Sequence, residues 1–329
     1  MNPSAADALR ELIDSPEFNG VISIIHQGEI LLEGARGFAN RGSGEMNRMD
    51  TRFSTASVSK MFTATCIARL VDAGIGEFDT PVVDAVPFLR PRFSETMTLA
   101  SLMSHRSGLG DYIDDDAQMP FDGMDTQRLE CPRDFIPYVL LRAGMNVPGS
   151  YRYSSAGYIL LGLAIEGLTG LPFIGAMRQW LLKPAGMTAT GFPPLDVPAA
   201  GLATGYLPDG RENFHHLPRL GGPDGGIVTN VADLRRFFGC MRGEGLISPE
   251  SRGFLFREES SFDPPGGYGH GFMITPIGGE PWYGHTGSDP GVSARVAFSM
   301  AEESSVIVLC NAEEQAFNAF RLARRWLDG

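Results

Sequence analysis

The stretch Phe53–Gly74, FSTASVSKMFTATCIARLVDAG, carries a serine, Ser57, three residues before a lysine, Lys60. Val58, Met61, Phe62, Ala64, Ile67, Leu70 and Val71 make the segment apolar nearly all round, the pattern of a buried helix. Gly74 is placed to end it. On such a helix Ser57 and Lys60 lie one turn apart on the same face. A buried ammonium must find partners or lose its proton. Either outcome suits a lysine that activates a neighbouring serine as nucleophile, with the helix N-terminus favouring the negative charge that develops. The alternative is that Ser57 only caps the helix while Lys60 extends its head to the surface.

Working outward, Val21–Arg36 (VISIIHQGEILLEGAR) reads as two strands around a turn at Gln27-Gly28. The far end has the same texture. YGHGFMITPI, PWYGHTG, SARVAFSM and SSVIVLCNA are short β-rich runs separated by turn residues, and EEQAFNAFRLARRWLDG closes the chain as a helix. The N-terminal MNPSAADALRELIDSPEF reads as a short amphipathic helix without the basic and apolar regions of a secretion signal. Between the two β regions lies a mostly helical, loop-rich middle. The pattern predicts an α+β fold, with one antiparallel sheet built from both chain ends and flanked by helices. Residues 1–80 and 246–329 would form the sheet region, and 81–245 the helical region, together one catalytic unit. The acidic stretch Asp111–Asp125 reads as a solvated loop, with a lid as the alternative.

The totals exclude several classes. At 329 residues the chain exceeds one small core. A net charge of -12 with no basic block argues against nucleic acid. No apolar run reaches the ~20 residues of a membrane span. Cys66, Cys131, Cys240 and Cys310 are scattered and form no CxxC pair, which fits a reducing cytoplasm. The adjacent pair His215-His216 lacks metal-ligand spacing, PGGYGHGF is no dinucleotide fingerprint, and no GxSxG elbow occurs. His26 reads as exposed, and His105 as fixing loop structure. No metal or cofactor is expected.

Two further elements follow in order. Tyr153 stands in YRYSSAGYILLG (Tyr151–Gly162), before another apolar run. His285-Thr286-Gly287 stands in WYGHTGSDPG (Trp282–Gly291), at the end of a strand-like segment. In this order the three elements resemble the serine β-lactamase and penicillin-binding-protein superfamily, and most of all its class C β-lactamase-like branch of esterases, D-amino-acid peptidases and D,D-carboxypeptidases. LASLMSHRSGLGDY from Leu99, LATGY from Leu202, GGIVTNVADLRRF from Gly225 and YGHGF from Tyr268 support the resemblance over about 250 residues.

The resemblance implies that Ser57 is the acylated nucleophile and that Lys60 is its base or holds the proton network that serves as base. Tyr153 would shuttle the proton to the leaving group. Backbone N–H groups of Ser57 and Ser288 would form the oxyanion hole. Ser155, His285, Thr286 and Gly287 would line the substrate, Gly287 by letting it lie close to the strand edge. Two departures narrow the expectation. Ser155 stands where the branch carries asparagine, and His285 where many β-lactamases carry lysine. Both disfavour β-lactam or D,D-peptide turnover and fit a cytoplasmic hydrolase of small esters or amides. The alternatives are a D-amino-acid peptidase, a D,D-carboxypeptidase or weak β-lactamase, or a non-catalytic penicillin-recognising protein.

Overall fold

Gln27 and Gly28 both take positive φ, 51° and 81°, so the chain turns back in the mirror-image tight turn that matches strand twist. This joins strands β1 (Gly20–His26) and β2 (Glu29–Arg36) as an antiparallel pair. The computed structural model describes residues 1–113, 120–243, 245–262 and 266–329. Most of the central part of the acidic stretch, residues 114–119, lies outside them, and with it the loop-or-lid reading.

Six further strands complete the large sheet: β3 (Ser260–Phe262), β4 (Gly266–Tyr268), β5 (Met273–Ile277), β6 (Glu280–Asp289), β7 (Val292–Ser299) and β8 (Ser305–Cys310). Their spatial order is β2-β1-β8-β7-β6-β5-β4-β3, antiparallel throughout. The two chain ends meet where β1 pairs with β8, from Gly20 opposite Cys310 to Ile25 opposite Ser305. The run from Tyr268 is therefore not one strand. It breaks at Gly269–Phe272, where Gly271 takes a φ of 87°.

Side chains alternate across this sheet. Ile22, Ile24, Val306 and Val308 enter a core with Leu9 and Ile13 of helix α1 (Pro3–Asp14) and Phe320, Ala323 and Trp326 of helix α4 (Gln315–Asp328). Val21, Ile307 and Leu309 face the other way, into the larger core under helices α2 (Ser59–Asp72) and α3 (Ser155–Thr169). Helix α2 buries nearly every residue from Ser59 to Leu70, and Gly74 follows it at a φ of 72°. Leu99–Met103 is a short helix. Thr98 and Ser101 cap it reciprocally, satisfying its first N–H groups. Among the described residues no single helix is long and apolar enough to cross a membrane.

Candidate active site

Ser57 does not cap α2. It lies in a single 3-10 turn, Ala56–Val58, immediately before the helix. Two anchors hold this turn. Phe53–Ser54 pairs with Val228–Thr229, and the Ser59 hydroxyl donates to the Ala56 carbonyl at 2.8 Å while accepting the Ile227 N–H at 2.9 Å. Ala56 pays a conformational penalty here, since its φ of 46° is left-handed for a residue with a Cβ.

Lys60 is fully buried. Of the two outcomes open to a buried ammonium, it has found partners. Its Nζ donates to Ser57 Oγ at 3.0 Å, to Ser155 Oγ at 3.3 Å and to the Asp224 carbonyl at 2.6 Å. Burial is the largest influence and pulls its pKa down, but Tyr153, Asp224 and Asp111 outweigh it and leave the pKa raised. Lys60 is thereby held as an ammonium.

Tyr153 is 37% exposed, with its ring centroid 4.9 Å from Lys60 Nζ. Ser154 and Ser155 follow it into α3. Ser154 Oγ accepts the Gly157 N–H at 3.1 Å, as an N-cap does. The Asp111 carboxylate accepts the N–H groups of Ser155 at 2.8 Å and Ala156 at 3.1 Å. The second motif is thus fixed by a carboxylate at a helix N-terminus, a favourable pairing of charge and dipole.

The third motif lies on β6. This strand pairs with β5 only from Glu280 to Gly284, whereas its pairing with β7 runs on to Asp289. From His285 onward one edge of β6 is therefore free of β5, and the turn bearing Ser57 packs over the face of the strand at Gly287. A Cβ built on Gly287 would stand 2.2 Å from the Thr55 carbonyl oxygen and 3.2 Å from Ser57 N. Glycine at 287, which the sequence reading gave to substrate, leaves room for the turn that bears Ser57.

His285 is 1% exposed; Tyr268 Oη lies 2.9 Å from its Nε2 and the Thr286 carbonyl 2.5 Å from its Nδ1. Burial, then the charge of Lys60, pushes its pKa down to about 3, so the ring is neutral. Its nitrogens are occupied inside the protein rather than offered to substrate. Thr286, by strand alternation, projects to the opposite face from His285 and Gly287, and its hydroxyl is buried without a hydrogen-bond partner among the described residues.

Beside Ser57 opens a narrow cleft. Ile113, Phe121, Phe135, Leu195, Leu217 and Leu220 give it apolar walls, and Ser155 lines it. Asp224 and Asp289 add two carboxylates that the sequence reading missed. Asp224 is buried and accepts the Tyr112 hydroxyl at 2.7 Å. Burial raises the Asp224 pKa despite Lys60 and Tyr112. Burial, with the neighbouring charge of Asp224, raises Asp289 to about 7. Asp289 stands two residues past Gly287, a proximity legible in the sequence. Asp224 stands in GGPDGG, whose glycines gave no sign of the lysine its backbone would meet.

Chemically, a hydroxyl held 3.0 Å from a buried ammonium, beside an open strand edge and an apolar cleft, is arranged for acyl transfer. Fold and site together define a serine hydrolase. The Beta-lactamase family model matches residues 5–329, and the chain belongs to that family. It is similar to a penicillin-binding protein from Bacillus halodurans, whose solved structure superposes with a TM-score of 0.88 at 29% identity, over 97% of this chain and 99% of that one. Penicillin-binding protein 4 of Amycolatopsis lactamdurans is 30% identical over 314 residues, 87% of this chain and 78% of that protein. Esterase EstB of Burkholderia gladioli is 34% identical over 184 residues, 53% of this chain and 47% of that protein.

Proposed function

We propose that this protein hydrolyses small esters or amides through an acyl-enzyme at Ser57. The observation that carries the reading is the contact between Ser57 Oγ and the buried Lys60 ammonium, set against the free edge of β6. Ser57 Oγ attacks the substrate carbonyl. Because Lys60 is already protonated and donates to Ser57, Tyr153 relays the serine proton, its oxygen taking that proton as its own O–H proton is passed on toward the leaving group, and Lys60 stabilises the oxygen as its charge develops. The N–H groups of Ser57 and Ser288 receive the carbonyl oxygen, and such a pair of donors is worth several kcal/mol in the transition state. The proton then moves to the leaving alcohol or amine. Water repeats the sequence on the acyl-enzyme and releases the acid.

The neutral, enclosed His285 supports esters or simple amides over β-lactams or D,D-peptides, since it offers no cation for a substrate carboxylate. Apolar walls in the cleft support an alkyl or aromatic acyl group. The Asp224–Asp289 pair favours a narrower second reading, an acyl group that also carries an amine, as in an amino-acid amide.

Hydrolysis of p-nitrophenyl butyrate by the wild type and by Ser57→Ala tests the proposal. The expected loss exceeds about 10³-fold, and a fluorophosphonate should add its mass to the wild type alone. Equal hydrolysis or equal labelling of the two proteins would sink it.

A further inference from the structure

Behind the cleft, three buried side chains join the second motif to the third. The Ser154 N–H donates to His105 Nδ1 at 3.1 Å. His105 Nε2 lies 3.1 Å from Tyr268 Oη, and Tyr268 Oη lies 2.9 Å from His285 Nε2. His285 Nδ1 reaches the Thr286 carbonyl at 2.5 Å. His105, Tyr268 and His285 are 2%, 0% and 1% exposed, so no solvent can repair a mismatched link.

The two ends settle the direction of every bond. A backbone N–H can only donate, so His105 Nδ1 accepts and the ring proton of a neutral imidazole sits on Nε2. A carbonyl can only accept, so His285 carries its proton on Nδ1 and accepts at Nε2. Tyr268 meets both demands, accepting from His105 and donating its own proton to His285. Each donor and acceptor is used once, and the two histidines hold opposite tautomers. Any reversal would set two donors or two acceptors face to face in a dry site.

We infer that His105, Tyr268 and His285 are positioning residues that hold the Tyr153–Ser155 segment at a set distance from the strand edge carrying Ser288. The inference rests on Ser57 and Tyr153 acting as proposed above. The anchors lie next to the reacting groups: Ser154 stands between Tyr153 and Ser155, and Thr286 is two residues before Ser288. The His105 ring also lies against Tyr153, with centroids 4.3 Å apart. His105 adopts a left-handed φ of 57°, a strained conformation for a residue with a Cβ, and from it the ring reaches both partners. Lys60 and the rings of Tyr151, Tyr153 and Tyr158 surround His105; Lys60 and Arg295 are the cations acting on His285.

Nitrogen-15 NMR of the full chain reads the chain directly. The two histidines that link the motifs should remain neutral from pH 5 to 8, one protonated on Nε2 and lost in His105→Asn, the other protonated on Nδ1 and lost in His285→Asn. Tyr268→Phe removes one hydroxyl and breaks both inner links. It should lower kcat about 10- to 100-fold, the scale of a small misplacement of reacting groups, with KM within about twofold. His270→Phe, a buried histidine outside the chain that stacks on Phe254, is the control for lost stability and should keep kcat within about twofold. Matching tautomers, a chain histidine that protonates in this range, or equal kcat in the two variants at equal Tm would overturn the inference. Retained hydrolysis in Ser57→Ala would instead strike the nucleophile, and the tautomers would still report whether the directed chain exists.

Discussion

At the scale of single residues, the cleft concentrates unusual protonation. Asp289 is raised to about 7, chiefly by burial and then by Asp224, with Lys60 opposing, so it binds its proton more tightly in the folded chain than in the unfolded one. Between the ordinary carboxylate range and about 7, the folded state therefore holds more protons, and stability from this group falls as pH rises. Asp289→Asn removes that loss, and its Tm should exceed the wild type's by a few degrees at pH 8 and match it near pH 4. The same titration bears on substrate choice. If the acyl group carries an amine, kcat/KM of the wild type for an aromatic amino-acid p-nitroanilide should rise through pH 7 as Asp289 ionises beside Asp224. Asp289→Asn should flatten that rise and leave p-nitrophenyl butyrate hydrolysis within about twofold. A flat wild-type profile would remove the amine reading. Ala56 gives a second test. Its left-handed φ is relieved by glycine, by roughly 1 kcal/mol, while the lost methyl opens a small gap. Ala56→Gly should leave Tm nearly unchanged yet slow fluorophosphonate labelling of Ser57, because the turn that aims the hydroxyl is freed.

At the scale of elements, the site forms where one strand outruns its neighbour. β5 stops pairing at Met273 opposite Gly284, and the turn before α2 packs over the face of β6 beside the edge this leaves free. Gly287→Ala would set a methyl 2.2 Å from a backbone carbonyl, which cannot swing aside as a side chain could. The expected cost is about 1–3 kcal/mol, read as a lower Tm, with labelling of Ser57 slowed at least about tenfold. Normal labelling with a normal Tm would refute the packing. These elements also show what was legible in the sequence. Serine and lysine at a spacing of three on an apolar helix must share a face, so their contact could be read from the chain. The orientations on β6 could not, because WYGHTGSD contains no clean alternation of apolar and polar residues to mark its faces. The sequence reading assigned both His285 and Gly287 to substrate, and could not tell that the His285 ring is enclosed or that the turn bearing Ser57 lies against Gly287. Asp224 was illegible for another reason: Lys60 uses its backbone carbonyl, which every residue possesses.

At the scale of the molecule, the sheet separates two cores with different duties. The pairing of both chain ends could be anticipated from β-rich runs at the two termini, since short strands far apart in sequence must find partners somewhere. Which helices would cover which face could not, because α1 and α4 are both amphipathic and either sheet face would accept them. The structure puts them together on the face away from Ser57, with Leu9, Phe320 and Trp326 packed against Ile22 and Val308. The Ser57 turn, α2 and α3 lie on the opposite face. Stability and catalysis are therefore separable by mutation. Leu9 is fully buried, so Leu9→Ala should cost about 2–5 kcal/mol through the cavity it leaves. That corresponds to a fall in Tm of roughly 5–15 °C. Because the lost contacts lie beyond the sheet, kcat/KM for p-nitrophenyl butyrate well below the new Tm should stay within about twofold of the wild type. A comparable loss of kcat/KM at such temperatures would mean that the terminal helices hold the free edge of β6 in place, and that the two faces act as one.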